Sequence, residues 1–259
     1  MSASRRSIHR CCLAVRCVFI AVVTAIPLTA QREQPLEFSA VFDARPLAAV
    51  ISQLETRYGW IITYEDPPYE AAADLDDVTL DVARDPQNFK GKVLVPRRRR
   101  FDFKYPKADQ PRAEDLLAAV IRDYNLAGNN DAFRLLRTGA FFHVVPSVSD
   151  DKNGTPTSRQ SRLDVRVTIP DAERSVLKTV ELVVDHVREL IGVPVVMGQV
   201  PTNFLAQKKL RTDATNEPAR DVLVRALTST GRDLSWRLTC DPGATKFCFF
   251  NVHFVQPQK

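Results

Sequence analysis

The sequence is short of glycine. Its nine glycines in 259 residues form neither a phosphate-cradling Gly-x-x-x-x-Gly-Lys loop nor a Gly-x-Ser-x-Gly nucleophile turn. Histidine is scarcer still. Beyond residue 30 there are only His143, His186 and His253, and no His-x-x-x-His or Cys-x-x-Cys spacing completes a zinc set. Asp74, Asp76, Asp77 and Asp81 lack the turn glycine and the terminal glutamate of a calcium loop, so they read as a solvated acidic segment. The expectation is therefore no catalytic motif, no metal and no cofactor. A global charge of one sign is missing as well. Of the formal net +5, four charges are Arg5, Arg6, Arg10 and Arg16 in a stretch without acids, and the remainder balances 32 basic against 31 acidic residues. A net of +1 gives no field to steer nucleic acid, and no nucleic-acid partner is expected.

Long apolar runs are absent except near the start. Residues 17–29 carry no charge, follow a basic start and precede Ala30 and Gln31. That is the pattern of an export signal cleaved after Ala30, and it is short for a transmembrane helix. Ser4-Arg5-Arg6-Ser7-Ile8 also resembles a twin-arginine signal, and an uncleaved anchor is the alternative. Either way the rest of the chain has no span, and a periplasmic or otherwise exported location follows. Cys11, Cys12 and Cys17 fall inside the signal. Cys240 and Cys248 remain, an even pair in a compartment where disulfides persist.

What is present is amphipathic periodicity. Leu47, Val50, Ile51, Leu54 and Tyr58 recur at helical spacing after Asp43, a candidate cap, and Pro46, a first-turn residue. Gly59 stops the helix, and Trp60 to Tyr64 reads as a strand after the first strand at Glu37 to Phe42. Short strands are expected at Val78–Val82, Val93–Val95 and Phe101–Tyr105. A second helix opens at Asp109-Gln110-Pro111, and a hairpin turns at Thr138-Gly139. Residues 147–162 are a linker by composition. The order then returns: a strand at Leu163–Ile169 and a helix start at Asp171-Ala172-Glu173. A Val-rich helix runs to Gly192, with strands at Val193–Met197 and Lys208–Ala214. A helix follows Asn216-Glu217-Pro218, and the hairpin turns at Asp241-Pro242-Gly243. The fold expected is α+β, two tandem βαβ-βαββ modules of two helices on small mixed sheets, over 31–146 and 163–259. Gly59 to Asp109 spans 50 residues and Gly192 to Asn216 spans 24, so the first module carries an insertion of 26 residues within about 65–100.

This order, with the cadence Phe42-Asp43-Ala44-Arg45-Pro46-Leu47, Leu54, Tyr58-Gly59-Trp60-Ile61-Ile62, resembles the short N-terminal domain of secretins and TonB-dependent receptors. Asn216-Glu217-Pro218-Ala219-Arg220-Asp221-Val222-Leu223, Leu227, Gly231 and Leu234-Ser235-Trp236-Arg237 resemble its second half. The resemblance covers roughly 38–145 and 163–255, without the barrel that follows in those proteins. It implies a periplasmic domain that makes protein–protein contacts, partly through exposed sheet edges, and it brings no catalytic residues.

Two features remain. Arg97, Arg98, Arg99 and Arg100 are four like charges in a row. They read either as partners of the acidic run at Asp74–Asp81 or as a contact for an anionic surface. Cys240 and Cys248 flank a Pro-Gly turn and fall opposite each other if the hairpin is symmetric, as a disulfide requires. Together these features lead to an envelope binding or scaffolding protein with a protein partner. An enzyme with a carboxylate site between the modules, or a purely structural envelope protein, are the alternatives.

Overall fold

The computed structural model describes residues 35–85, 88–106, 110–129, 131–242 and 247–257. The export signal expected at 1–30, the helix-opening Asp109 and the turn residues 243–246 lie outside the described residues.

The first half opens with β1 (Leu36–Asp43), α1 (Pro46–Tyr58) and β2 (Ile61–Glu65). Asp43 does not cap α1. Its Oδ1 accepts from the Arg45 backbone N–H at 2.7 Å, a local turn that aims the chain into the helix. Pro46 fills the first turn and Gly59, at φ 69°, ends the helix with its N–H on the Glu55 carbonyl. The insertion is organised. It holds β3 (Leu75–Asp77), α2 (Thr79–Val82) and β4 (Leu94–Pro96), with β3 and β4 antiparallel. The strand expected at Val78–Val82 is instead α2, because Asp77 Oδ1 accepts from both the Thr79 N–H and its hydroxyl and starts a helical turn. β5 (Arg99–Tyr105), α3 (Ala113–Leu126), β6 (Asp131–Thr138) and β7 (Phe141–Asp150) complete the half.

The segment read as a linker is built into the sheet. β7 runs on to Asp150, and β8 (Pro156–Ser158) folds back along it. The second half contains β9 (Arg166–Ser175), α4 (Val176–Ile191), β10 (Val195–Met197), α5 (Thr202–Gln207) and β11 (Lys209–Pro218). It ends with α6 (Ala219–Thr228), β12 (Leu234–Cys240) and β13 (Cys248–Phe254). Asp171-Ala172-Glu173 is strand rather than helix start. The cap is Ser175, whose hydroxyl accepts from the Lys178 N–H, so β9 runs four residues further than the acidic pair suggests. The short helix α5 went unread in the sequence.

The halves pair their strands alike. β1 lies antiparallel to β5, while β2 runs parallel to β7 and β7 antiparallel to β6. In the second half β9 lies antiparallel to β11, β10 parallel to β13, and β13 antiparallel to β12. The two three-strand sets do not stand apart. β12 adds in parallel to β2, which gives one continuous order of β10-β13-β12-β2-β7-β6 with β8 beside β7. There are two apolar cores, one for each pair of long helices, and the second takes in Phe141 and Ile61 of the first half. Leu47, Val50, Ile51 and Leu54 meet Leu116, Leu117 and Val120 over Ile62 and Val144 in the first. Val176, Val180, Val183 and Val187 meet Val222 and Leu223 over Trp236 and Phe250 in the second.

Candidate functional site

The arginine tract is neutralised within the chain. Arg97 reaches Asp76 at 3.4 Å, and Arg98 lies 3.8 Å from Asp76 and 3.9 Å from Asp81. Arg100 pairs with Asp102 on its own strand at 2.5 Å. Arg99 differs from these three because its side chain is only 21% exposed and bridges Asp74 at 3.3 Å and Asp131 at 3.4 Å, with Asn129 accepting at 3.0 Å. The alternation of a strand explains the split, since Arg99 begins β5 and turns inward while Arg100 turns out. Each of the four guanidinium groups thus has a carboxylate of the same chain beside it, which weakens the reading of an anionic-surface contact.

Arg99 closes a small polar chamber between the insertion and the first core. Arg45, Tyr64, Tyr69, Asp74, Tyr124 and Asp131 line it, and its volume of about 10 Å³ leaves room for a water at most. Tyr69 holds a positive φ of 47° and donates to Asp66 Oδ1 at 3.0 Å. Burial pushes the Asp131 carboxyl up to about 6 against the pull of Arg99, and Asp74 nearby adds to the rise. Burial likewise raises Tyr64, Tyr69 and Tyr124, so all three stay neutral.

Carboxylates stand between the halves. Glu65 and Asp66, at the end of β2, are fully buried. Glu65 Oε1 accepts from Arg220 of α6 at 2.9 Å and Oε2 from the Ser161 hydroxyl at 2.5 Å. Asp66 Oδ2 accepts from Arg45 at 2.6 Å and from the Cys240 N–H at 2.7 Å, while its carbonyl accepts from Arg162. Glu55 takes the Ile62 N–H on one oxygen and Arg237 of β12 and His253 of β13 on the other. Every one of these oxygens is engaged. The cluster therefore ties the halves together and presents no free base or nucleophile.

His143 and His253 lie on corresponding last strands but not at corresponding positions. His143 is fully buried, with Nδ1 2.8 Å from the Thr63 hydroxyl and its ring stacked on Trp236. Burial, with Arg220 close by, lowers it to about 3, so it packs as a neutral ring. His253 sits half exposed beside Glu55. Cys240 and Cys248 are bonded, Sγ–Sγ 2.11 Å, as a directly opposed pair whose Cα atoms are 3.9 Å apart. They come closer than the usual range because they occupy a non-hydrogen-bonded position, where paired antiparallel residues approach most.

Among the described residues, what remains open are the ends of the long sheet. At one end, β10 presents the outward N–H and C=O groups of Val195 and Met197. The Cys248 N–H bonds to Pro194 and the Gly198 N–H to Phe250, so the alternate residues face away from β13. A groove of about 290 Å³ runs between this edge and α4. At the other end, Asn125 of α3 accepts from the Phe133 N–H and donates to its carbonyl, both at 2.9 Å, covering one residue of the β6 edge. The same outward phase then leaves Leu135 and Arg137 uncovered. A larger groove of about 600 Å³ lies beside β1 and α1 at Glu37, Phe38, Ser52, Gln53, Thr56 and Arg57. Among the described residues no group of His, Cys, Asp or Glu side chains is placed to hold a metal ion, and no helix is long and apolar enough to cross a membrane. No protein-family model, no curated protein and no solved structure matches the chain.

Proposed function

We propose that the chain is an exported binding or scaffolding component of the cell envelope that makes protein–protein contacts in the periplasm. It would act through two copies of a module resembling the short secretin and TonB-dependent-receptor domain. The observation that carries this reading is the seven-strand sheet ending in open edges at β10 and β6. Open edges accept a strand from another chain, with backbone hydrogen bonds giving affinity and the adjacent groove giving selectivity. The Cys240–Cys248 bond suits an oxidising compartment. The enzyme alternative loses support from the saturation of Glu55, Glu65 and Asp66 by arginines.

A pulldown from envelope extracts tests the proposal. The wild type should retain a stoichiometric partner, and Met197→Pro, which removes an outward N–H from the β10 edge, should lose it. Turnover of a substrate by the purified chain with no partner retained would sink the reading.

A further inference from the structure

The two halves are joined in one direction only. β12, a hairpin strand of the second half, lies on β2, the strand that follows the first helix of the first half. The repeated pairing assigns counterparts to both. Ile62 and Tyr64 face Phe142 and Val144, as Val195 and Met197 face Cys248 and Phe250, so β10 corresponds to β2. Leu135 stands opposite Val144 as Leu238 stands opposite Phe250, so β6 corresponds to β12 and Arg134 to Arg237. The two edges consumed by the internal join therefore each have a counterpart left open, at opposite ends of the sheet.

The groove filled in the join has a counterpart too. Inside the chain the Leu238 carbonyl accepts from the Asp66 N–H at 2.8 Å. Arg237 fills the gap between β2 and α1, donating to the Ile62 carbonyl at 2.6 Å, to Ser52 at 3.3 Å and to Glu55. The matching gap between β10 and α4 is the open groove. Glu181, Asp185 and Arg188 line it, with Asp185 paired to Arg188 at 3.0 Å and Glu181 to Lys178 at 3.2 Å; Asp185 lies seven residues before Gly192 as Ser52 lies seven before Gly59, and Arg188 takes the place of Glu55. Arg134 is 47% exposed and lies 3.6 Å from Asp164, and Arg137 on the same strand pairs with Glu114 at 3.4 Å.

We infer that the internal join is repeated between molecules: β6 of one copy adds to β10 of the next, and Arg134 enters the groove beside Asp185. This rests on the reading of the open edges as contact surfaces and names a second copy as the partner. The contact is heterologous, so successive copies extend as a ring or filament and do not close as a two-fold dimer. The correspondence of β6 with β12 and of β10 with β2 selects this pairing over either edge meeting itself, because the internal join never pairs a strand with its own counterpart.

Sedimentation velocity of the mature chain across a concentration series, at low and moderate salt, tests the inference. A ladder of oligomers that weakens with salt is expected. Arg134→Glu and Asp185→Arg should each weaken association about tenfold, and mixing the two variants should restore it, since every contact between alternating copies is again complementary. Asp185 is 46% exposed on α4, so its variant keeps the fold even if Arg134→Glu disturbs the pair with Asp164. A chain that stays monomeric overturns the inference while a partner retained in the pulldown would leave the wider reading intact. Oligomers that neither substitution weakens overturn it as well, because the contact then lies elsewhere.

Discussion

Replacing Arg220 with methionine tests whether the halves form one cooperative structure. The Arg220 side chain is 6% exposed and meets Glu65, which is fully buried, at 2.9 Å, with Asp164 on its other nitrogen. Arg220 belongs to α6 and Glu65 to β2, so the pair crosses the join. Methionine keeps much of the volume but strands the Glu65 carboxylate with Ser161 as its remaining hydroxyl donor. Breaking a buried pair from one side costs about 3–5 kcal/mol. With a urea slope of about 2 kcal/mol per molar, the midpoint should fall by roughly 2 M in a single transition. Glu65→Leu combined with Arg220→Met removes both charges and should recover most of that loss, since apolar replacement of a whole buried pair is often neutral. A single-variant cost below about 1 kcal/mol, or a double variant no better than Arg220→Met, would refute the reasoning.

Three further outcomes are expected. Burial raises Asp131 to about 6, so the folded chain binds a proton that the unfolded chain, with a carboxyl near 3.9, releases. Stability then falls as pH rises from about 4 to 6, by up to about 3 kcal/mol, and Asp131→Asn should remove that slope in urea unfolding at a series of pH values. Gln at Arg97, Arg98 and Arg100 together should cost about 1 kcal/mol or less. Arg99→Gln alone should cost about 1–3 kcal/mol because it leaves Asp74 and Asp131 facing each other across the chamber; equal melting losses would contradict this. Gly59→Ala should cost more than Gly192→Ala. Both glycines hold a left-handed φ, worth about 1–2 kcal/mol, but only at Gly59 would the new Cβ meet Pro257, at 3.2 Å, whereas Gly192 has nothing within 4 Å.

Local periodicity carried the sequence reading a long way. The stripe of Leu47, Val50, Ile51 and Leu54, the stops at Gly59 and Gly192 and the hairpin at Cys240 and Cys248 all appear where spacing places them. Reading failed where a side chain changes the backbone's choice. Asp77 turns Val78–Val82 into a helix start, and Ser175, not Asp171, caps α4. The pairing of β12 with β2 was invisible, because it joins residues far apart in the chain through backbone groups that every sequence has. The candidate site suffered more. Arg99 looks the same as its three neighbours in sequence, and only the phase of β5 sends it inward to Asp74 and Asp131. Glu65 and Asp66 end an apolar strand with no motif around them, so nothing announced that Glu65 binds Arg220 and Asp66 the Cys240 N–H of the other half. A charged pair directly after a buried strand was the one signal available.

The parallel addition of β12 to β2 also sets a timetable. Leu238 is made 173 residues after Glu65, its partner across the join. During synthesis from the N-terminus, the first half has its helices and its own hairpin in hand while β2 keeps one side bare. Long-range pairing of this kind is slow, and an unpaired apolar strand is a site for association with the wrong chain. The nascent molecule thus passes through a stage in which β2 is an edge of its sheet. It stays exposed until the last hairpin arrives, so a chain cut after the first half would be expected to aggregate even with its own core complete.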